Sequence, residues 1–224
     1  MRVKICGMTN LADAEMAVSY GADALGFLIG LDYPSYDEVV AATARKTIEA
    51  LPPFISSVLV THRTDVGWVA ETCKEIGCNT LQLHGDFPLE EIPTLRRVVP
   101  YVRVIKAVHV IDASAVGLAV SAARWADAVQ LDTRTATRIG GTGTTHDWAI
   151  SARIVKQVEK PVVLAGGLNP ENVRQAIATV RPFAVDVNYG VENPDGSKSL
   201  EKIKSFISLA KGLRNDAIQG GRSF

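Results

Sequence analysis

An α/β barrel of eight strand–helix units is the fold this sequence predicts, on three observations. Short apolar, β-branched runs alternate with helix-length amphipathic stretches along the chain. The alternation repeats eight times in 224 residues, about 28 per unit, with no Pro/Gly-rich linker of domain-boundary length. The runs are apolar almost throughout, as suits parallel strands buried on both faces. The expectation is a single-domain (β/α)8 TIM barrel over residues 1–212, then a flexible tail at 213–224 rich in Gly and polar residues. The alternative, a doubly wound open sheet, lacks the early GxGxxG turn of its dinucleotide-binding version.

The strands are expected at Arg2 to Cys6, Ala24 to Ile29, Ser56 to Thr61, Thr80 to His84, Val102 to Ala107, Ala128 to Asp132, Pro161 to Ala165 and Phe183 to Val187. Helical spacing of apolar residues marks Asn10 to Tyr20, Asp37 to Leu51, Pro170 to Val180 and Leu200 to Gly212. Thr9 or Asn10 suits the first helix as a cap, and Asn169 with Pro170 supplies a cap and first-turn pair for the seventh. Gly21 to Gly26 resembles Trp125 to Gln130, a weak sign of half-barrel duplication that composition alone also explains.

Charge balance narrows the partners. The chain carries 24 Lys and Arg against 24 Asp and Glu, with the signs interspersed. No basic stripe points to nucleic acid, and no apolar run approaches the ~20 residues that span a membrane. The N-terminus has no apolar signal segment, so a cytoplasmic protein with a small-molecule partner is expected, as a monomer or homodimer. Three cysteines, Cys6, Cys73 and Cys78, form neither an even disulfide set nor a CxxC pair, and reduced thiols are expected.

In such a barrel the site lies at the C-terminal ends of the strands, so the last residues of each run become candidates. These are Cys6, Thr61 with His62, Gln82 with His84, Lys106, Asp132, Gly166 with Gly167, and Asn188 with Gly190. Three glycine-rich loops follow strands six, seven and eight: Gly140 to Thr145, Ala165 to Pro170 and Asn188 to Glu192. Exposed backbone N–H groups in such loops hold anions, and a phosphorylated ligand is expected. Cys6 and Asp132 are a thiol and a carboxylate suited to a proton transfer, provided a cation tunes the first and burial tunes the second. Each also has a structural reading, as a small buried hydrophobe and as a loop acceptor. Among the histidines, His62 stands out by directly following a strand end, whereas His109 is expected at the surface and His146 at a helix start. No His/Asp/Glu set at the strand ends implies a metal, and Lys106 is the one lysine placed for a Schiff base.

Several segments together carry a resemblance. They are Val3 to Thr9, Leu81 to Gly85, Leu131 to Thr133, Gly140 to Gly143 with Asp147 and Trp148, Leu164 to Val173, and Val185 to Val187 with Gly190 to Glu192. In order and spacing they resemble the phosphoribosylanthranilate isomerase family of tryptophan biosynthesis, from the first strand to the last helix. The resemblance implies a cofactor-free Amadori rearrangement, from N-(5-phosphoribosyl)anthranilate to 1-(2-carboxyphenylamino)-1-deoxyribulose 5-phosphate. It implies Asp132 as general acid and Cys6 as general base. It also implies a binding set of Lys4, Gln82, His84, Gly141, Thr142, Gly143, Gly166, Gly167, Asn188, Tyr189 and Gly190, with no metal and no cofactor.

Departures gather at the substrate loops. The family's Ser-x-Arg-like segment after strand two reads Gly30 to Glu38 here, with no Arg or Lys between Gly26 and Arg45. Losing a charge-assisted pair to the aglycone carboxylate costs about 1.5–3 kcal/mol, at least ~10-fold in affinity. Arg63, Arg134 and Arg138 are the available replacements, Arg63 first. Strand three ends Val58-Leu59-Val60-Thr61-His62 in place of Val-Phe-Val-Asn, Gly-Lys-Thr becomes Gly143-Thr144-Thr145, and Asp-Val-Ser-Ser-Gly becomes Asp186-Val187-Asn188-Tyr189-Gly190. A paralogue isomerising another phosphoribosylated amine fits the same changes; the further alternative, a non-catalytic phosphosugar-binding protein, would need neither Cys6 nor Asp132.

Overall fold

A computed structural model describes residues 1–135, 138–139 and 145–212, with backbone alone at 134–135 and 138–139. Eight parallel strands close into a barrel: β1 (Arg2–Ile5), β2 (Ala24–Leu28), β3 (Ser56–Thr61), β4 (Thr80–Leu83), β5 (Arg103–His109), β6 (Ala128–Asp132), β7 (Val162–Leu164) and β8 (Ala184–Val187). Each neighbours its successor, and β8 returns to β1 with Lys4 in register with Asp186. The expected strands all form. A two-residue ladder, Arg134–Thr135 with Arg138–Ile139, projects after β6.

Eight helices surround them: α1 (Leu11–Ser19), α2 (Ala41–Glu49), α3 (Val66–Ile76), α4 (Ile92–Val98), α5 (Ala115–Ala123), α6 (Trp148–Gln157), α7 (Val173–Val180) and α8 (Leu200–Lys211). Strand alternation sorts the side chains. Val3, Ile5, Leu25, Phe27, Leu81, Leu83, Val104 and Val108 join the layer packed against the helices, while Cys6, Leu28, Val58 and Val60 make a smaller apolar cluster on the opposite face. None of the described helices is long and apolar enough to cross a membrane.

Three helix starts are settled by side-chain hydrogen bonds. Asn10, not Thr9, caps α1, accepting from the Asp13 N–H at 2.9 Å. For α7 the expected cap is displaced: Asn169 and Asn172 exchange side-chain-to-backbone bonds at 2.9 and 3.0 Å, so the chain turns once more and the helix begins at Val173. α2 starts at Ala41 because Asp37 and Glu38 are committed elsewhere. Glu38 Oε1 accepts from Gly30 N and Leu31 N at 2.8 and 3.0 Å, and Asp37 Oδ2 accepts from Asn188 Nδ2 at 2.6 Å.

Candidate active site

A cavity of about 200 Å³ opens at the C-terminal ends of the strands. Gly166, Gly167 and Gly190 line one side of it. Gly166 and Gly167 have φ of 82° and 68°, which side-chain-bearing residues rarely adopt. A Cβ on Gly190 would lie 1.9 Å from the Leu168 carbonyl oxygen, and one on Gly166 would lie 2.3 Å from Thr133 Oγ1. The loop after β8 can therefore approach the loop after β7 only because Gly190 lacks a side chain, and the loop after β7 can approach Thr133 only because Gly166 does. Gly141, Thr142 and Gly143 lie outside the described residues, as does the 213–224 tail.

Asp132 closes β6 and lines the same cavity. Its Oδ1 accepts from the Thr133 N–H at 2.7 Å, and its Oδ2 lies 3.3 Å from His84 Nε2. Burial pushes its pKa up to about 7, against the Thr133 hydrogen bond, which acts downward. Burial, with His109 and His62 nearby, holds His84 well below its ordinary value, so the ring is neutral. Gln82 Nε2 lies 3.1 Å from His84 Nδ1 and donates to it, which leaves the ring proton on Nε2, facing Asp132. A carboxyl so placed keeps its proton near neutral pH and can still give it up.

Cys6 follows β1 and shares its face with Lys4. Lys4 donates to Asp186 Oδ2 at 2.8 Å in a buried ion pair whose carboxylate borders the cavity. Burial opposes the Lys4 charge, yet Asp186 and Cys6 together raise its pKa above the ordinary value. For Cys6 burial dominates and lifts the thiol to about 11, with Lys4 pulling the other way. Both side chains occupy space left by Gly26 on β2: a Cβ there would meet Cys6 Sγ at 2.6 Å and Lys4 Nζ at 3.1 Å. Cys73 and Cys78 lie in the helix layer as buried thiols away from the cavity.

Across the cavity from the glycines, the wall is made of side chains: Leu28, Leu31, Tyr33, Val60, His62 and His84. The rings stack in sequence. Tyr33 lies tilted 5.3 Å from His62, His62 stacks on His84 at 5.4 Å, and His84 meets His109 edge-on at 5.2 Å. His109 is thus half-buried against the site and not a surface residue, because β5 runs two residues further than expected. The same extension puts Lys106 in mid-strand, where its Nζ donates to the Leu83, Gly85 and Ala107 carbonyls and does not line the cavity. Burial lowers Lys106 to about 8. Arg63 extends over the Trp68 ring, 5.6 Å from its centroid, also outside the cavity lining.

The sequence reading missed the polar groups that join loops distant in the chain. Lys198 donates to Asn188 Oδ1 at 2.6 Å and to Glu192 Oε1 at 2.7 Å, and the Tyr36 hydroxyl donates to Glu192 Oε2. Together with Asp37 these groups tie the loop after β2 to the loop after β8, so Asn188 is held from two sides. The adjacent acids Asp37 and Glu38, in a loop with no compensating cation, were the available signal. His146, ahead of α6, bridges Thr133 Oγ1 at 3.0 Å and Ser151 Oγ at 2.6 Å, fixing the residue beside Asp132. Burial lowers it to about 4. Among the described residues no group of three His, Cys, Asp or Glu is placed to hold a metal ion.

The chain matches the family model for N-(5'-phosphoribosyl)anthranilate isomerase over residues 3–209. It belongs to that family. The second N-(5'-phosphoribosyl)anthranilate isomerase of Methanosarcina mazei is 39% identical over 213 residues, which cover 94% of each chain. The solved phosphoribosyl anthranilate isomerase of Thermotoga maritima superposes with a TM-score of 0.84 at 40% identity, covering 95% of this chain and all of its own. Another solved isomerase, in complex with reduced 1-(o-carboxyphenylamino)-1-deoxyribulose 5-phosphate, superposes at 0.81 with 38% identity over 95% of this chain and all of that one. Of the isomerase residues expected from sequence, Cys6, Gln82, His84, Asp132, Gly166, Gly167, Asn188, Tyr189 and Gly190 line one cavity, with Lys4 paired behind Cys6.

Proposed function

We propose that this protein isomerises N-(5'-phosphoribosyl)anthranilate to 1-(2-carboxyphenylamino)-1-deoxyribulose 5-phosphate, with Asp132 as acid and Cys6 as base. The observation that carries this assignment is a buried carboxyl at about 7 facing the same cavity as a thiol beside an ammonium. Asp132 donates its proton to the ribose ring oxygen, the C1–O bond breaks, and the nitrogen lone pair forms a Schiff base. Cys6, as thiolate, takes the C2 proton. The electrons of that C–H bond move into the C1–C2 bond and neutralise the nitrogen, giving an enolamine that tautomerises to the ketone.

The remaining lining suits the same ligand. Gln82 Oε1, Gln130 Oε1 and Asp186 Oδ1 are buried acceptors with no hydrogen bond among the described residues, and all three residues line the cavity. Sugar hydroxyls are donors that would satisfy them. The phosphate falls to Gly166, Gly167, Asn188, Tyr189 and Gly190, with Gly141, Thr142 and Gly143 completing the loop set.

Loss of anthranilate-adduct fluorescence follows the reaction directly. Cys6→Ser and Asp132→Asn are each expected to lower kcat by ~10²–10⁴-fold, the usual worth of a positioned acid or base. A wild-type protein that binds reduced product analogue but does not turn over substrate would sink the catalytic reading and leave phosphosugar binding.

The pH profile has an unusual expected shape. Reaction needs Asp132 protonated and Cys6 ionised. Above a pH of about 7 the protonated share of Asp132 falls tenfold per unit, while the thiolate share of Cys6 rises tenfold per unit until about 11. The two trends cancel, so kcat/KM is level there. Below about 7 the carboxyl is already protonated and the thiolate is still being lost, so kcat/KM falls tenfold per unit of acidification. A rate that declines as pH rises through neutrality would overturn this pair of titrations.

A further inference from the structure

We propose that His62 recognises the carboxylate on the aromatic aglycone, through a hydrogen bond donated by its Nε2–H. This rests on the reaction proposed above, which places a carboxylated aryl group and a phosphate at opposite ends of one ligand. In the closed strand order β3 lies four strands from β7, so the end of β3 stands across the cavity from the glycines that take the phosphate. His62 is the residue at that end.

The ring's protonation follows from its surroundings. His62 Nδ1 accepts from the Asp32 N–H at 3.3 Å, so in the neutral imidazole the proton resides on Nε2. The His62 side chain is only 1% exposed and lines the cavity, with Nδ1 taken up by the loop. Burial keeps the ring below its ordinary pKa, with Asp32, Glu38 and Asp86 acting in the opposite sense. The donor is therefore a neutral N–H, and its bond to a carboxylate is charge-assisted.

The neighbours suit an aryl group. Leu28, Leu31 and Val60 are apolar, and the Tyr33 ring is tilted against His62. His84 stacks on His62 at an interplanar angle of 15°, fixing the plane in which Nε2–H points. No Arg or Lys lines the cavity among the described residues, so the carboxylate at this end is met by a neutral donor, for which His62 is placed.

Two variants separate contact from scaffolding. His62→Asn keeps an acceptor where Nδ1 receives the Asp32 N–H and removes the distal donor. His62→Gln keeps a donor near the Nε2 position and removes the loop acceptor. Calorimetry would compare reduced 1-(o-carboxyphenylamino)-1-deoxyribulose 5-phosphate with its phenylamino counterpart lacking the carboxylate. Wild type is expected to favour the carboxylated ligand by ~10-fold or more. His62→Asn should lose that preference while binding the carboxylate-free ligand as wild type does, and His62→Gln should keep most of it. Preference kept by Asn, or a parallel loss of both ligands in either variant, overturns the assignment. Equal wild-type affinities for the two ligands overturn it while leaving the reaction intact; no binding of either overturns both.

Discussion

On one side of the cavity the loops after β7 and β8 bring Gly166, Gly167 and Gly190 to the ligand space, beside Asn188 and Tyr189; on the other, the ends of β2, β3 and β4 meet it with side chains alone. The glycine side has no titratable group of its own at Gly166, Gly167 or Gly190, and its shape is fixed by loop-to-loop contact. The side-chain wall carries two histidines and a tyrosine, and its shape is fixed by ring packing. A phosphate is the same group in any phosphoribosyl ligand, whereas aglycones differ. The contrast teaches where the sequence is held most tightly: Gly166 and Gly190 have no room for even a methyl group against the neighbouring loop, whereas the wall is built of side chains packed on one another.

Adding that methyl group is the strongest way to break the contrast. Gly190→Ala would press a Cβ into the Leu168 carbonyl oxygen, a backbone atom that moves only with its loop. Overpacking of this kind costs about 1–3 kcal/mol or more. Thermal melting should fall accordingly, and affinity for reduced product analogue should drop by ~10-fold or more as the β7 loop shifts. An unchanged melting temperature with unchanged affinity would mean that the glycine side is as tolerant as the wall. A smaller effect is expected across the cavity. Tyr33→Leu keeps an apolar surface and loses the aromatic pair with His62, worth about 0.5–1.5 kcal/mol. KM should rise by no more than ~10-fold, with kcat and melting nearly unchanged; a large fall in kcat would place Tyr33 in the chemistry.

Much of this architecture is legible in the sequence because strand alternation and helical spacing are local patterns. The eight strands emerge within two residues at each end, and Cys6, Asp132 and the described glycines arrive at the cavity because strand ends converge there. Lys106 shows where the local pattern fails. Reading β5 as ending at Ala107 made Lys106 a rim residue, but the strand continues to His109 and turns the lysine toward backbone carbonyls. The pairs that hold the site are illegible for a different reason. Lys4 and Asp186 are 182 residues apart, and Asp37 and Asn188 are 151 apart. They meet only once β8 closes onto β1, and no window of sequence contains that closure. The start of α7 was missed because two asparagines cap each other in a turn that Pro170 alone does not reveal.

Gly26 contributes no atom to the chemistry, yet it determines where the thiol can stand. Its missing side chain is the niche that Cys6 and the end of Lys4 fill from the neighbouring strand. Positions 6 and 26 thus form a lock and its keyhole: a designer who wished to carry the thiol to another strand would have to move the gap along with the cysteine. A side chain at 26 would displace the thiol and the ammonium while leaving both residues in the sequence unchanged.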